Sequence, residues 1–154
     1  MTHLDASHNQ LNSLPEDIDR MWQLQELRLE FNFIVVLPVN VMLLKNLRTL
    51  NVRQNRLIAL PGPASDLEIF LPQLIFLDAS HNLLQKVPSG LTCLKNLEML
   101  SLSNNQLSSA PIDMAGCTAL VNLDLSNNCL NAIPDVSGCS AMKSFDSHGN
   151  KSDR

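Results

Sequence analysis

The stretch that decides the fold is Leu97-Glu98-Met99-Leu100-Ser101-Leu102-Ser103-Asn104-Asn105-Gln106-Leu107, which has the pattern LxxLxLxxNxL. Related stretches recur along the chain, and we number each from its first apolar residue, so that Asn105 occupies position 9. The position-9 residues are Asn9, Asn32, Asn55, Asn82, Asn105, Asn128 and Asn150, which are 23, 23, 27, 23, 23 and 22 residues apart. Self-similarity at such a period predicts a solenoid of stacked repeats.

Six full repeats are predicted to begin at residues 1, 24, 47, 74, 97 and 120, and a partial seventh begins at 142. Together they form one repeat domain over residues 1–150, followed by a polar tail at 151–154. The third repeat carries four extra residues, and there Ser65 is positioned to cap a short helix over residues 66–70. The chain starts at position 1 of a repeat and stops soon after Asn150 without a polar cap. Two expectations follow: a fragment of a longer repeat domain, or open ends that associate with another molecule.

Each repeat divides into a strand and a turning segment. Positions 3 to 7 alternate in character with a period of two, which predicts a short strand whose positions 4 and 6 point inward. The position-9 asparagine can satisfy the peptide groups of the turn that follows. Position 15 is occupied by Pro15, Pro38, Pro61, Pro88, Pro111 and Pro134. Proline there suits the start of a short helical segment, so the pattern predicts an α/β right-handed solenoid with a concave parallel sheet and short 3-10 or helical segments on its convex side.

Composition excludes several classes of function. A formal charge of −4 and an isoelectric point near 5.4 argue against nucleic-acid binding. No apolar run approaches the roughly 18 residues that would span a membrane, and the first residues show no secretory leader pattern. The four cysteines form no CxxC pair, and Cys117 and Cys139 fall at core positions, which favours a reduced, cytoplasmic protein.

The LxxLPxxLxxLxx half-repeat and the 23-residue spacing resemble the Ras-group class of intracellular leucine-rich repeats, which occurs in Ras-signalling scaffolds, Roco kinases, PDZ-bearing polarity scaffolds and yeast adenylate cyclase. The resemblance covers residues 1–150. It implies a protein partner, often a small GTPase or a phosphatase, bound through the concave face or its rim, and it implies no shared catalytic set and no cofactor. Ala6 and Ala79 depart from the usual leucine at position 6.

The candidate partner-binding residues come from the positions that the core does not use. Positions 3, 5 and 7 are expected on the concave surface, and positions 8 and 10 along its rim. Repeats two to four, with Met99 of the next repeat, concentrate aromatic, Met and Arg side chains there: Arg28, Phe31, Phe33, Arg53, Arg56, Phe76 and Met99. Aromatic residues and Arg are enriched at binding hot spots. The alternative is that the Phe rings fold over neighbouring repeats and the arginines pair with Glu26 or Glu30.

The segment Asp-Ala-Ser-His-Asn occurs at residues 5–9 and 78–82, and this combination of side chains resembles the parts of a hydrolase site. Neither segment has a nucleophile elbow or an oxyanion element, and repeat self-similarity accounts for the coincidence. His8 and His81 lie three repeats apart, roughly 14 Å at the strand spacing, so they are not expected to share a metal ion.

The sequence therefore predicts a non-enzymatic scaffold that binds a protein on its concave face, without metal or cofactor. Two alternatives remain open. One is a regulatory segment of a larger signalling enzyme such as a kinase, phosphatase or cyclase. The other is a secreted or surface recognition module, such as an adhesion protein.

Overall fold

The structure is a computed structural model that describes residues 1–62, 70–88, 90–91, 94–109 and 114–153. It contains one seven-stranded parallel sheet in which the strands follow chain order. The strands are β1 His3–Asp5, β2 Glu26–Arg28, β3 Thr49–Asn51, β4 Phe76–Asp78, β5 Met99–Ser101, β6 Asn122–Asp124 and β7 Ser144–Asp146. All seven fall at positions 3 to 5 of the predicted repeats, and the predicted parallel-sheet solenoid is confirmed.

The register of the sheet aligns equivalent positions of successive repeats. Position 4 forms one row, in which Leu27, Leu50 and Leu77 are paired in order and fully buried. The rows of positions 1, 6 and 11 join this row in a single apolar core that runs the length of the solenoid. Each inward leucine therefore contacts the repeats on both sides, which is how a solenoid replaces a globular core.

The long third repeat does not disturb the sheet. Leu50 of β3 still pairs with Leu77 of β4, and Phe70 and Leu71 return the chain to the core. The helix predicted over residues 66–70 lies outside the described residues, apart from Phe70.

The position-9 asparagines link each repeat to the one before it, as predicted. The amide nitrogen of Asn105 donates to the carbonyl oxygens of Leu102 and Ser103 in its own repeat and of Ala79 in the preceding one, at 3.0–3.2 Å. Its carbonyl oxygen accepts from the backbone N–H of Leu84 at 2.9 Å. The same link to the N–H of a preceding position 11 is made by Asn32, Asn55, Asn82, Asn128 and Asn150.

The convex side carries short 3-10 helices at Glu16–Arg20 and Val39–Leu43, and a third occurs at Lys151–Asp153. Pro15 and Pro38 precede the first two in extended conformation, which confirms the predicted role of proline in these repeats. Ile18 and Val41 turn inward from these helices and are buried. Pro111 lies outside the described residues. In the part of the chain that the structure describes, no helix is long and apolar enough to cross a membrane.

The residue before each ladder asparagine has a left-handed backbone. At position 8 the φ angle lies between 50° and 73° in every repeat: His8, Phe31, Gln54, His81, Asn104, Asn127 and Gly149. Asn, His and Gly tolerate this conformation better than bulkier residues do. Gly149 also has no room for a side chain, because a Cβ there would lie 2.5 Å from Oδ1 of Asn127.

We expect Asn105→Ala to lower the free energy of unfolding by about 1–3 kcal/mol, because the Leu84 N–H and three carbonyls lose a buried partner. Urea denaturation followed by circular dichroism measures this loss. Asn122→Ala is the matched control, since Asn122 is exposed on the concave face. Equal midpoints for the two variants would contradict the structural role of the ladder.

A second prediction concerns the inward leucines. Leu102→Ala should cost about 2–5 kcal/mol, because Leu102 is buried between neighbouring repeats and its truncation leaves a cavity. Leu43→Ala, at an exposed leucine of the second 3-10 helix, should change the midpoint little. Thermal unfolding of both variants tests the difference, and a Leu102→Ala midpoint like that of wild type would show that the core is misassigned.

Candidate protein-binding surface

The polar residues at positions 5 and 7 form a hydrogen-bonded turn at the end of several strands. The carboxylate of Asp78 accepts hydrogen bonds from the backbone N–H and the hydroxyl of Ser80, at 2.9 and 2.6 Å. Asp124 and Ser126 repeat this arrangement. The carboxylate of Asp5 likewise accepts hydrogen bonds from the hydroxyl and the backbone N–H of Ser7, and these hold the pKa of Asp5 below its usual range. These aspartates therefore stabilise turns, which the sequence reasoning missed.

The concave face is less open than predicted at its centre. Positions 5 and 7 were expected to be exposed, but Asp78, Ser80, Ser101, Ser103 and Ser126 are buried. The expectation was wrong there because these side chains are short and bond within the turns. Large side chains at the same positions, Arg28 and Arg53, remain exposed in repeats two and three.

Phe31 occupies position 8 of the second repeat, where its left-handed backbone, at φ 58°, holds the ring on the surface. The ring stacks on the imidazole of His8, with centroids 4.3 Å apart, yet 41% of the residue stays exposed. Its backbone N–H donates to the carbonyl of Arg53 at 3.1 Å, so the two residues are neighbours across repeats. The alternative prediction, that Phe rings fold over a neighbouring repeat, is therefore only partly correct for Phe31: its ring contacts His8 of the preceding repeat but remains exposed.

The two arginines of the strand region differ in their partners. Arg28 donates to Glu26, and this hydrogen bond raises the pKa of its guanidinium. Glu26 also lies 3.6 Å from the imidazole of His3. Arg53, in contrast, forms no ion pair with any described residue. Nearby, one carboxylate oxygen of Glu30 is shielded from solvent and has no hydrogen-bond donor among the described residues. Buried acceptors are normally paired, so this oxygen is an exception among the described residues.

Phe33 and Arg56 form a second pair at position 10, on the outer flank of the sheet. The guanidinium carbon of Arg56 lies 4.6 Å from the ring centroid of Phe33, in a cation–π contact. Both residues remain exposed, and no described acidic side chain forms an ion pair with Arg56. The structure brings these two predicted residues together.

Phe76 and Met99 stand apart from the other predicted residues. They are paired neighbours at position 3 of β4 and β5, where each strand begins, and both are half-buried. The side chains at positions 8 and 10 follow the opposite end of the strand. The seven predicted residues are therefore divided between two regions of the sheet.

Sequence reasoning overlooked Val35 and Ile58, at position 12 of repeats two and three. Both are exposed, and the Ile58 N–H donates to the Val35 carbonyl at 3.3 Å. The available signal was the contrast with Asn12, Ser108 and Asn131 at the same position of other repeats.

Family models for leucine-rich repeats match residues 1–21, 72–113 and 95–138. A probable inactive serine/threonine-protein kinase of Dictyostelium discoideum, roco10, is 35% identical over 136 residues, which are 86% of this chain and 5% of that protein. Human oligodendrocyte-myelin glycoprotein is 33% identical over 149 residues, covering 85% of this chain and 33% of that protein. The chain thus spans a third or less of the length of these relatives.

Solved structures show the same architecture. A leucine-rich repeat protein of Leptospira interrogans superposes with a TM-score of 0.68 and 29% identity, covering 98% of this chain and 44% of that one. The repeat pattern, the parallel solenoid and these matches agree, and the chain belongs to the leucine-rich repeat proteins.

Proposed function

We propose that this domain is a non-enzymatic interaction scaffold that binds a protein partner at the concave face of repeats two to four, with Phe31 and Arg53 at the centre of the contact. The observation that carries this proposal is a backbone hydrogen bond that joins Phe31 and Arg53 across two repeats. The Phe31 ring is half-exposed, and the Arg53 guanidinium forms no ion pair with any described residue. Aromatic and Arg side chains that become desolvated together account for most of the affinity at typical interfaces.

The backbone at Phe31 supports this assignment. Six of the seven position-8 residues are Gln, His, Asn or Gly, whereas repeat two places a phenylalanine in the left-handed region. A bulky residue there is strained and adds nothing to the core, since its ring is on the surface. Strain retained at an exposed ring favours a role in binding.

Charge completes the proposed site. Arg53, which forms no ion pair with any described residue, supplies donors for a carboxylate or carbonyl of the partner, and Glu30 supplies a negative charge in the same repeat as Phe31. Charges of both signs close to one aromatic ring favour one orientation of the partner over others. The resemblance to Ras-group repeats suggests a small GTPase or a phosphatase as the class of partner.

A cytoplasmic, reducing location is part of the proposal. The thiols of Cys117 and Cys139 are buried and donate to the backbone carbonyls of Leu91 and Met114, respectively.

Two alternative functions are each favoured by one of the similar proteins. The similarity to roco10, a probable inactive kinase, favours a repeat segment of a larger kinase-related protein, and the similarity to oligodendrocyte-myelin glycoprotein favours a recognition module of a glycoprotein.

The double variant Arg53→Glu with Phe31→Asn tests the site. It should abolish partner capture, because it reverses the free charge and removes the aromatic anchor. Its thermal midpoint should stay within a few degrees of wild type, because asparagine suits the left-handed backbone and offsets the lost stacking on His8. The measurement is affinity capture from native lysate with quantitative mass spectrometry, in parallel with thermal unfolding.

The matched control is Lys143→Glu with Leu43→Asp, which makes comparable changes at exposed residues outside the site. Proteins captured by wild type and by the control, but lost with the double variant, are the expected partners. Undiminished capture by the double variant would rule out the Phe31–Arg53 site.

A further inference from the structure

The outer flank of repeats two to four differs from that of the other repeats. Positions 10, 12 and 13 of these three repeats are all exposed: Phe33, Val35, Val36, Arg56, Ile58, Ala59, Leu83, Gln85 and Lys86. We call these nine residues the flank patch. Six are apolar, two are basic and none is acidic. In a chain of net charge −4, this is a locally cationic apolar surface.

The fold does not need these apolar side chains. The same positions in the first repeat are Gln10, Asn12 and Ser13, and in the fifth they are Gln106, Ser108 and Ser109. Both repeats form the same strand and the same ladder contacts with their neighbours. Clustered apolar exposure without a structural requirement marks an interaction surface.

Backbone hydrogen bonds hold the patch in regular rows. Arg56 donates to the carbonyl of Ile34 at 2.9 Å, Ile58 to that of Val35 at 3.3 Å, and Leu83 to that of Leu57 at 2.9 Å. Equivalent side chains therefore recur at the spacing of the strands, ~4.8 Å per repeat and ~9.6 Å over two repeats. The rows run along the axis of the solenoid.

The spacing of the rows fits an α-helical partner better than an extended one. In an α-helix, residues i and i+3 are ~4.5 Å apart along the axis, and residues i and i+7 are ~10.5 Å apart. Side chains on one face of an extended strand recur every ~6.6–6.8 Å, a poorer match to the rows. A helix lying along the rows can place one apolar side chain on each of the three repeats.

The two basic residues of the flank patch favour an acidic partner. Arg56 is held over the Phe33 ring, which orients the guanidinium beside the apolar rows, and Lys86 is exposed at the far end of the patch. With no acid in the patch to pair with either cation, carboxylates of the partner are the complementary groups, and Arg–carboxylate pairs form in bidentate geometry.

We propose that the flank patch binds an acidic amphipathic helix of a protein partner, with apolar residues at i, i+3 or i+4, and i+7, and with carboxylates beside them. This inference extends the proposed function, since it also assumes a protein partner, but it concerns different side chains from Phe31 and Arg53.

The test uses a yeast-displayed library of helical peptides with leucines fixed at i, i+3 or i+4, and i+7 and with flanking positions varied among Glu, Lys and Gln. Selection on the whole chain should enrich Glu over Lys. Ile58→Asp and Arg56→Glu should each weaken the enriched peptides by about tenfold or more, the range expected for hot-spot residues. Leu43→Asp and Lys143→Glu, at matched exposed residues outside the patch, should change binding less than about twofold.

Enrichment of Lys, an absence of enriched peptides, or undiminished binding to the patch variants would overturn the inference. A wild-type chain that sediments as a dimer, and becomes monomeric on Ile58→Asp, would also overturn it, because the occupant would be a second copy. If enriched peptides ignore the patch variants but are lost with Arg53→Glu and Phe31→Asn, the patch fails while the proposed function stands. If lysate capture survives that double variant while peptides depend on Ile58, the concave site fails and the patch stands.

Discussion

The structure depends on the hydrogen bonds of one side chain per repeat, the position-9 asparagine. A strand that ends once in every repeat leaves peptide groups at a turn facing the core, where water cannot reach them. Asn105 satisfies carbonyls of its own repeat and of the preceding one, and its oxygen accepts from Leu84. Because each asparagine joins two repeats, it sets their register as well as their stability.

The ladder also determines what the surface can present. The residue before each asparagine takes a left-handed conformation, and its side chain faces solvent or a neighbour rather than the core. The core therefore places no packing requirement on the side chain at position 8, although the left-handed backbone there disfavours bulky residues. Phe31 occupies this position in repeat two. On the outer flank, repeats two and three carry exposed apolar side chains at position 12, and repeats two and four carry them at position 10. The residues proposed to bind partners therefore lie at positions whose side chains do not pack in the core.

The fold was predictable from the sequence because its two determinants are periodic. The alternation around Leu100 predicts the strand, and the recurrence of asparagine predicts the ladder. The site was only partly predictable, since exposure depends on the neighbouring repeats. Asp78 and Ser80 are buried because they bond to each other at the end of β4. The pairing of Arg28 with Glu26, and of Arg56 with Phe33, required side-chain positions that periodicity does not specify.

Amide hydrogen exchange at position 11 tests the ladder most directly. The N–H of Leu84 is held by the Asn105 side chain of the next repeat, whereas that of Gln85, one residue further, lies on the exposed flank. We predict that Leu84 exchanges about a hundredfold or more slowly than Gln85, and that Asn105→Ala removes most of this protection while the amide of Leu50 in β3 keeps its own. Equal exchange rates for Leu84 and Gln85 in the wild-type chain would contradict this account.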